Sequence, residues 1–181
     1  MKEITRLHVP CHVKYTKLVE DYMHSLGEHI YPNDIGATNR LSTVMNEVFT
    51  NIVKHSNTSK VDDIVRFQIE IGSALLVISI HDNGPGIIIE NQLPPYDQSL
   101  IGKRKKFREV IDGTVYLSIL DPYSLSFYFV ESRNSREAQL DDLPNLPGHG
   151  YGLSIVIKIM DSLTYSFVGE ERYDWKMTKK L

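Results

Sequence analysis

The sequence has few of the features that mark several common classes of protein. Only one of its 181 residues, Cys11, is a cysteine, so an internal disulfide is excluded; the lone thiol fits a reducing compartment and is equally explained as a small, buried apolar residue. The N-terminus has no long apolar segment of the signal or membrane type, and we expect a soluble cytoplasmic protein with no membrane partner. The formal net charge of −3 gives no basic excess for general nucleic-acid binding.

Hydrophobic residues make up 41% of the chain, enough to bury a core without disulfides or structural metal. We therefore expect one domain over residues 1–181. Its periodicity predicts a first strand at residues 4–9 and a helix at residues 15–26. Hairpins are predicted over residues 64–80 and 164–178. The inward side of the first helix is predicted to carry Leu18, Val19, Tyr22, Met23 and Leu26.

A second, longer amphipathic helix is predicted over residues 38–55. Its apolar positions recur at i, i+3, i+4 and i+7 and are Leu41, Val44, Met45, Val48, Phe49, Ile52 and Val53. At about 100° per residue, Glu47, Asn51, Lys54 and His55 share one polar stripe beside that apolar face. The stripe places a carboxylate, an amide and a cation along one groove, although such a stripe is more usually a solvated flank. His55 is equally explained as a cation at a helix C-terminus.

A second motif, Asp82-x-Gly84-x-Gly86, follows an apolar run at residues 74–80 that predicts a largely buried strand. Asp82 would then lie at the carboxyl end of that strand. Glycine permits a positive φ and a close approach of the backbone to a ligand, which a Cβ would obstruct. A lone stretch of this composition is more often an ordinary turn.

A third motif, Gly148-x-Gly150-x-Gly152-Leu153, opens a run of helical character at residues 153–160. Unpaired N–H groups and the positive end of the helix dipole would face an anion there, which suits a polyphosphate. Alone, these glycines are equally a loop and helix entry, and His149 is equally a solvated loop residue. The three motifs together, each in its expected strand or helix context, favour a nucleotide site.

In this order the motifs resemble the Bergerat-type ATP site of the gyrase, Hsp90, histidine-kinase and mismatch-repair ATPase superfamily. The N-terminal half, with its strand, helix and Glu/Asn helix, is most similar to the anti-sigma-factor serine/threonine kinases, as is the ending at residues 175–181. The resemblance covers nearly the whole chain apart from residues 88–147. It implies an α+β fold, namely a two-layer sandwich with a mixed, mostly antiparallel sheet and helices on one face.

The resemblance also implies ATP and Mg²⁺ as cofactors and a role for each matching residue. Glu47 would be the general base, Asn51 would hold Mg²⁺ and Lys54 would contact phosphate. Asp82 would accept a hydrogen bond from the adenine amino group. The other nucleotide-binding residues would be Gly84, Gly86, Ile87, Gly148, Gly150, Gly152 and Leu153. Simple chemistry agrees, because an amide oxygen is a hard ligand suited to Mg²⁺ and a carboxylate can accept a proton.

Residues 88–147 replace the short lid that relatives place over ATP. Apolar runs at residues 114–120 and 124–130 predict an extra hairpin, which would either pack on the main body or offer an edge to a partner's strand. The basic run at residues 103–106 is expected to be a solvated face, with a γ-phosphate contact as the alternative. The final strand carries Arg172-Tyr173-Asp174 instead of the relatives' Gly-Thr, so no second adenine contact is carried over.

Two classes of function follow from this resemblance. The first is an ATP-dependent serine/threonine protein kinase that sequesters a sigma factor, is countered by an anti-anti-sigma protein and makes no direct contact with nucleic acid. The second is a nucleotide-gated protein-binding module, and a detached histidine-kinase catalytic domain is a further alternative. Glu47 favours chemistry, because ATP binding alone needs Asn51 and Asp82 but no base. A homodimer is compatible with each class.

Overall fold

The structure, a computed structural model, describes residues 2–55, 63–84, 86–110, 112–132, 152–170 and 172–181, without the side chain of Asp82. In chain order the described elements are β1 (Glu3–Pro10), α1 (Thr16–Ile30), α2 (Ile35–His55), β2 (Ile64–Ile71), β3 (Leu75–Asp82), β4 (Arg104–Val110), β5 (Gly113–Asp121), β6 (Ser124–Glu131), α3 (Gly152–Ile159), β7 (Ser162–Gly169) and β8 (Arg172–Lys180).

The strands form one eight-stranded sheet in the order β1-β2-β3-β8-β7-β6-β5-β4. Every pairing between neighbouring described strands is antiparallel. Several neighbours are joined by short turns, which can connect only antiparallel strands. The predicted α+β fold and the mostly antiparallel sheet are confirmed, and the described part of the sheet contains no parallel pair.

The core lies between one face of the sheet and the helices. Alternate residues of each inner strand are buried, as Val65, Phe67 and Ile69 are on β2, because successive side chains of a strand point to opposite faces. The rings of Phe49 on α2 and Phe67 lie 6.1 Å apart. On α1, the Tyr22 hydroxyl donates to Thr5 Oγ1 of β1 at 2.9 Å. The opposite sheet face, called the open face below, carries no described helix.

The predicted apolar stripe of α2 is confirmed, since its first six residues are buried and Val53 is half-buried. On α1, Val19 and Met23 are buried, but the prediction for Leu18 was wrong, because that side chain is 51% exposed. The buried residues of α1 are Val19, Met23 and Gly27, which follow one another at i, i+4 and i+8, and Leu18 is not in that series. None of the described helices is long and apolar enough to cross a membrane.

The predicted extra hairpin is present as β5 and β6. It joins the main sheet through β6 and β7, which pair over Ser124–Ser126 and Thr164–Ser166. The other side of β5 is covered by β4, which the sequence did not predict because its Lys/Arg-rich residues show no apolar alternation. The alternative of an open hairpin edge is therefore wrong for β5, whereas for residues 127–131 of β6, which pair with no described strand on the β7 side, it stays a prediction. The outer edge is β4, whose charges and register shift between Lys106 and Arg108 discourage strand addition.

Candidate functional site

The polar stripe of α2 borders the core as predicted. Glu47 and Asn51 are half-buried and lie one helical turn apart, whereas Lys54 and His55 are exposed in the last turn. Cations there also suit the negative end of the helix dipole. The half-buried part of the stripe therefore consists of a carboxylate and an amide, with a cation beyond them.

The start of α3 contacts this part of the stripe. A Cβ built on Gly152 would lie 2.4 Å from Glu47 Oε2 and 2.9 Å from Asn51 Nδ2. Only a residue without a side chain fits such an approach without displacing them. Leu153, the next residue, is partly buried against the core and anchors this turn of the helix. The first and third sequence motifs thus meet at Gly152.

Residues at a helix N-terminus have N–H groups with no partner inside the helix, and the dipole there favours negative charge. In this fold that end of α3 adjoins Glu47 and Asn51. Repulsion from the Glu47 carboxylate would be offset by a cation held between it and an anion. The arrangement therefore suits an anion that arrives with a metal ion.

The second motif begins where predicted, with Asp82 as the last residue of β3. In the sheet register Asp82 pairs with Tyr173 of β8, while the preceding pair is His81 with Asp174. The described part of the motif also includes Gly84, which is half-buried, and Gly86. The Asp82 side chain and Pro85 lie outside the described residues.

Gly86 adopts φ +79°, a conformation that glycine reaches easily and other residues rarely do. A Cβ on Gly86 would lie 2.2 Å from the Tyr173 hydroxyl and 2.9 Å from Leu93 Cδ2. Tyr173 is buried and stacks on Tyr165 with ring centroids 5.0 Å apart. Gly86 is therefore required by its conformation and by its contact with Tyr173, whatever it does for a ligand.

The residue after Gly86 is held by a second tyrosine. The Tyr96 hydroxyl donates to the Ile87 carbonyl at 2.7 Å, and Tyr96 is buried. Burial, and secondarily the nearby Tyr173, raise the pKa of Tyr96 well above its usual value, so it stays a neutral donor. The backbone that follows the Asp82 motif is thus fixed by two buried tyrosines.

Sequence reasoning missed both tyrosines as part of this region. For Tyr173 a signal existed, since Tyr173, Trp175 and Met177 alternate along the last strand and predict one inward face. Tyr96 gave none, because it belongs to an irregular segment between β3 and β4. Its contact with Ile87 is visible only in three dimensions.

Two predicted nucleotide-binding residues, Gly148 and Gly150, lie outside the described residues, as does His149. In the basic run, Lys105 pairs with Glu90, Lys106 pairs with Glu109, and Arg104 lies over the Tyr128 ring at 5.5 Å. These local contacts favour the solvated-face interpretation over a γ-phosphate contact.

The donor set at Gly152 fits magnesium with a nucleotide polyphosphate. Within the described part of the chain, no group of three or more His, Cys, Asp or Glu residues could hold a metal ion. Mg²⁺ does not require one, because it keeps several waters and takes its remaining ligands from phosphates and one or two side chains. Asn51 offers a hard amide oxygen beside the N–H groups of α3.

The fold and the site together indicate a class of protein: a two-layer α+β domain of the kind that carries a Bergerat-type ATP site. Residues 12–179 match the family described as the histidine kinase-like ATPase domain, and the chain belongs to that family. Membership implies ATP as the ligand. A comparison with curated proteins found no match.

Proposed function

We propose that the protein binds ATP with Mg²⁺ and transfers the γ-phosphoryl group to a serine or threonine of a partner protein. The observation that carries the proposal is the contact of Gly152, at the N-terminus of α3, with Glu47 and Asn51 of α2. This contact brings a candidate base (Glu47) and a candidate metal ligand (Asn51) next to a helix N-terminus that can bind an anion. Phosphoryl transfer needs mainly such positioning and charge neutralisation.

Each residue of the proposed site has a separate task. Asn51 would contribute its amide oxygen to Mg²⁺, and Lys54, exposed one turn further along α2, would offset phosphate charge. Asp82, at the end of β3, would accept from the adenine amino group. The resemblance would also give Gly148 and Gly150, which lie outside the described residues, a role in phosphate binding.

Glu47 is the group proposed to act on the acceptor. A carboxylate within hydrogen-bond reach of a hydroxyl can take its proton as the oxygen attacks phosphorus. Mg-ATP would supply the phosphoryl group: as the acceptor oxygen bonds to the γ-phosphorus, the bond to the β,γ-bridging oxygen breaks and ADP leaves. Half-burial beside the α3 N-terminus shields Glu47 from bulk water and leaves its position fixed by α2.

The partner is proposed to belong to a sigma-factor regulatory pair, with an anti-anti-sigma-like protein as phosphoacceptor. The β1, α1, α2 order of the N-terminal half supports this, since it is the part most similar to the anti-sigma-factor kinases. A nucleotide-gated binding module without transfer is the second candidate. It is favoured by the packing of Glu47 against Gly152, which gives the carboxylate a structural role without chemistry.

Calorimetry and turnover together test the proposal. Asp82→Asn should weaken Mg-ATP binding by about 1.5–3 kcal/mol, the usual value of a hydrogen bond to a charged group. Glu47→Gln should keep ATP binding and lose turnover, because an amide cannot act as a base. Glu28→Gln, an exposed residue on α1, is the matched control and should change neither. Unchanged turnover in Glu47→Gln would support the gated module.

The acceptor is identified by incubating the protein and its copurifying partners with labelled ATP. A serine or threonine phosphoester survives acid treatment, whereas phosphohistidine does not. We expect an acid-stable product. An acid-labile product would favour the histidine-kinase alternative, and ATP-dependent partner binding without label would favour the module.

A further inference from the structure

The open face of the sheet carries exposed arginine and lysine side chains, although the net charge of the chain is −3. The strand register aligns one row of residues across all eight strands. In sheet order that row is Arg6, Gln68, Ser79, Lys176, Thr164, Ser126, Ser118 and Arg104. It contains three cations and no carboxylate.

The adjacent row runs from β1 to β5. In sheet order it is His8, Arg66, His81, Asp174, Ser166, Ser124 and Asp121. It has two carboxylates: Asp174 is hydrogen-bonded to His81 Nδ1, and Asp121 accepts from the Tyr123 backbone N–H at 2.8 Å. In the next row the Glu70 carboxylate is paired with Lys2 at 2.7 Å. Each of these three carboxylates therefore already has a hydrogen-bonding or cationic partner.

Four cations of the two rows, Arg6, Arg66, Lys176 and Arg104, are exposed. Within the described part of the chain, no carboxylate lies within ion-pair distance of any of them. A surface built only for solubility mixes both signs of charge, whereas a single sign steers an oppositely charged partner. Most of the side chains between the cations of the first row are those of serine and threonine, which are short and uncharged.

We propose that the open face is a docking surface for an acidic protein, one that presents clustered carboxylates to Arg66 and Lys176. Rows of cations cannot complement a copy of themselves, so a second copy of this chain is disfavoured as the occupant. A nucleic acid is disfavoured because the face's ring pair is already engaged: Tyr116 stacks on Tyr128 at 5.5 Å, and Arg104 covers Tyr128.

The surface is separate from the nucleotide site, because it lies on the opposite face of the sheet. The two are nevertheless adjacent along the chain, since His81 and Asp174 pair immediately before Asp82 and Tyr173. Because the two lie on opposite faces of the sheet, an acidic protein could dock while nucleotide is bound. Docking requires no nucleotide and does not depend on the proposed transfer.

Fluorescence anisotropy with labelled poly-L-glutamate as the probe tests the surface. The double variant Arg66→Glu/Lys176→Glu should bind the probe about tenfold more weakly or worse, because two attractive charges become repulsive. The matched control Lys14→Glu/Arg40→Glu changes net charge equally on exposed residues outside the open face and should bind as the wild type does. Arg66→Gln/Lys176→Gln should give an intermediate loss without like-charge repulsion that could unfold the sheet.

Several results would overturn the proposal. Equal weakening in the Lys14/Arg40 control would mean that only net charge matters, and no probe binding by the wild type would mean that the face does not dock acidic chains. Tighter binding of an oligothymidylate than of poly-glutamate would identify a nucleic-acid surface. Dimerisation in sedimentation runs that Arg66→Glu/Lys176→Glu abolishes would identify a second copy as the occupant.

Discussion

The Tyr173 hydroxyl fills the space that a Cβ on Gly86 would need, 2.2 Å from the ideal Cβ position. Tyr173 belongs to the last strand and pairs in register with Asp82, so a single side chain connects the start of β8 to the segment that contains Gly86. A glycine in that motif is usually explained by its ligand. Here protein packing alone requires it, and the packing can be tested without nucleotide.

Gly86→Ala should destabilise the protein more than Gly102→Ala. Both glycines have φ close to +80°, but a Cβ on Gly102 would meet nothing within 4 Å. Gly102→Ala therefore measures only the cost of placing a residue with a Cβ at a positive φ, which is about 1–2 kcal/mol. Gly86→Ala should add about 1–3 kcal/mol for overpacking against Tyr173. Urea unfolding measures both, and equal losses would contradict the contact with Tyr173.

Gly152→Ala should weaken Mg-ATP binding with little change in stability. The new methyl group would collide with the ends of the Glu47 and Asn51 side chains, which can move away without disturbing the backbone. Their displacement should cost about tenfold in Kd, or about 1.4 kcal/mol. The control is Gly36→Ala in the first turn of α2, where a Cβ meets only the Arg40 and Asp34 side chains at 3.2 Å. Equal affinity in the two variants would show that Gly152 does not position the site.

The sequence predicts most of the fold because local patterns determine it. Period-3.6 apolar spacing identified α2, and β-branched runs identified β3 and the pair β5 and β6. The strand β4 escaped prediction, since a charged edge strand needs no apolar alternation. The prediction for Leu18 was wrong because periodicity alone does not give the width of the buried face of α1.

The candidate site was predicted only in part, for a related reason. The stripe of Glu47 and Asn51 follows from the helix period, and the position of Asp82 follows from the end of β3. The approach of Gly152 to that stripe depends on how α3 packs against α2, and the contact of Tyr173 with Gly86 joins segments far apart in sequence. Neither contact has a local signature.

Tyr96→Phe should destabilise the protein by about 1 kcal/mol, the typical net value of a hydrogen bond, because the carbonyl of the half-buried Ile87 loses its donor. Since burial raises the pKa of Tyr96, its neutral form stabilises the fold below its unfolded pKa of about 10, and that contribution is lost as pH rises further. Tyr96→Phe should therefore flatten the alkaline loss of stability. Tyr123→Phe, at an exposed tyrosine, is the control. Urea unfolding at neutral and alkaline pH checks both statements, and an unchanged alkaline slope in Tyr96→Phe would contradict the second.

Asp161→Asn should remove part of the acid sensitivity of the fold. Asp161 follows α3 and accepts from the Lys180 backbone N–H at 2.6 Å and from Lys179 Nζ at 3.0 Å. The Lys180 N–H, then Lys179, hold the pKa of Asp161 below its ordinary value. A lowered pKa means that the carboxylate stabilises the fold fully above the unfolded value of about 3.9 and loses this contribution as pH falls through the folded pKa.

The variant should consequently be less stable than the wild type at neutral pH, and the difference should shrink as pH falls below about 4. Asp21→Asn is the control, because Asp21 forms an exposed pair with Lys17 on α1 and is worth little. Thermal unfolding followed from pH 7 downwards by circular dichroism measures the difference. The two donors favour only the charged form of Asp161. If the difference in stability between the wild type and Asp161→Asn did not change with pH, the lost interaction would therefore not depend on that charge.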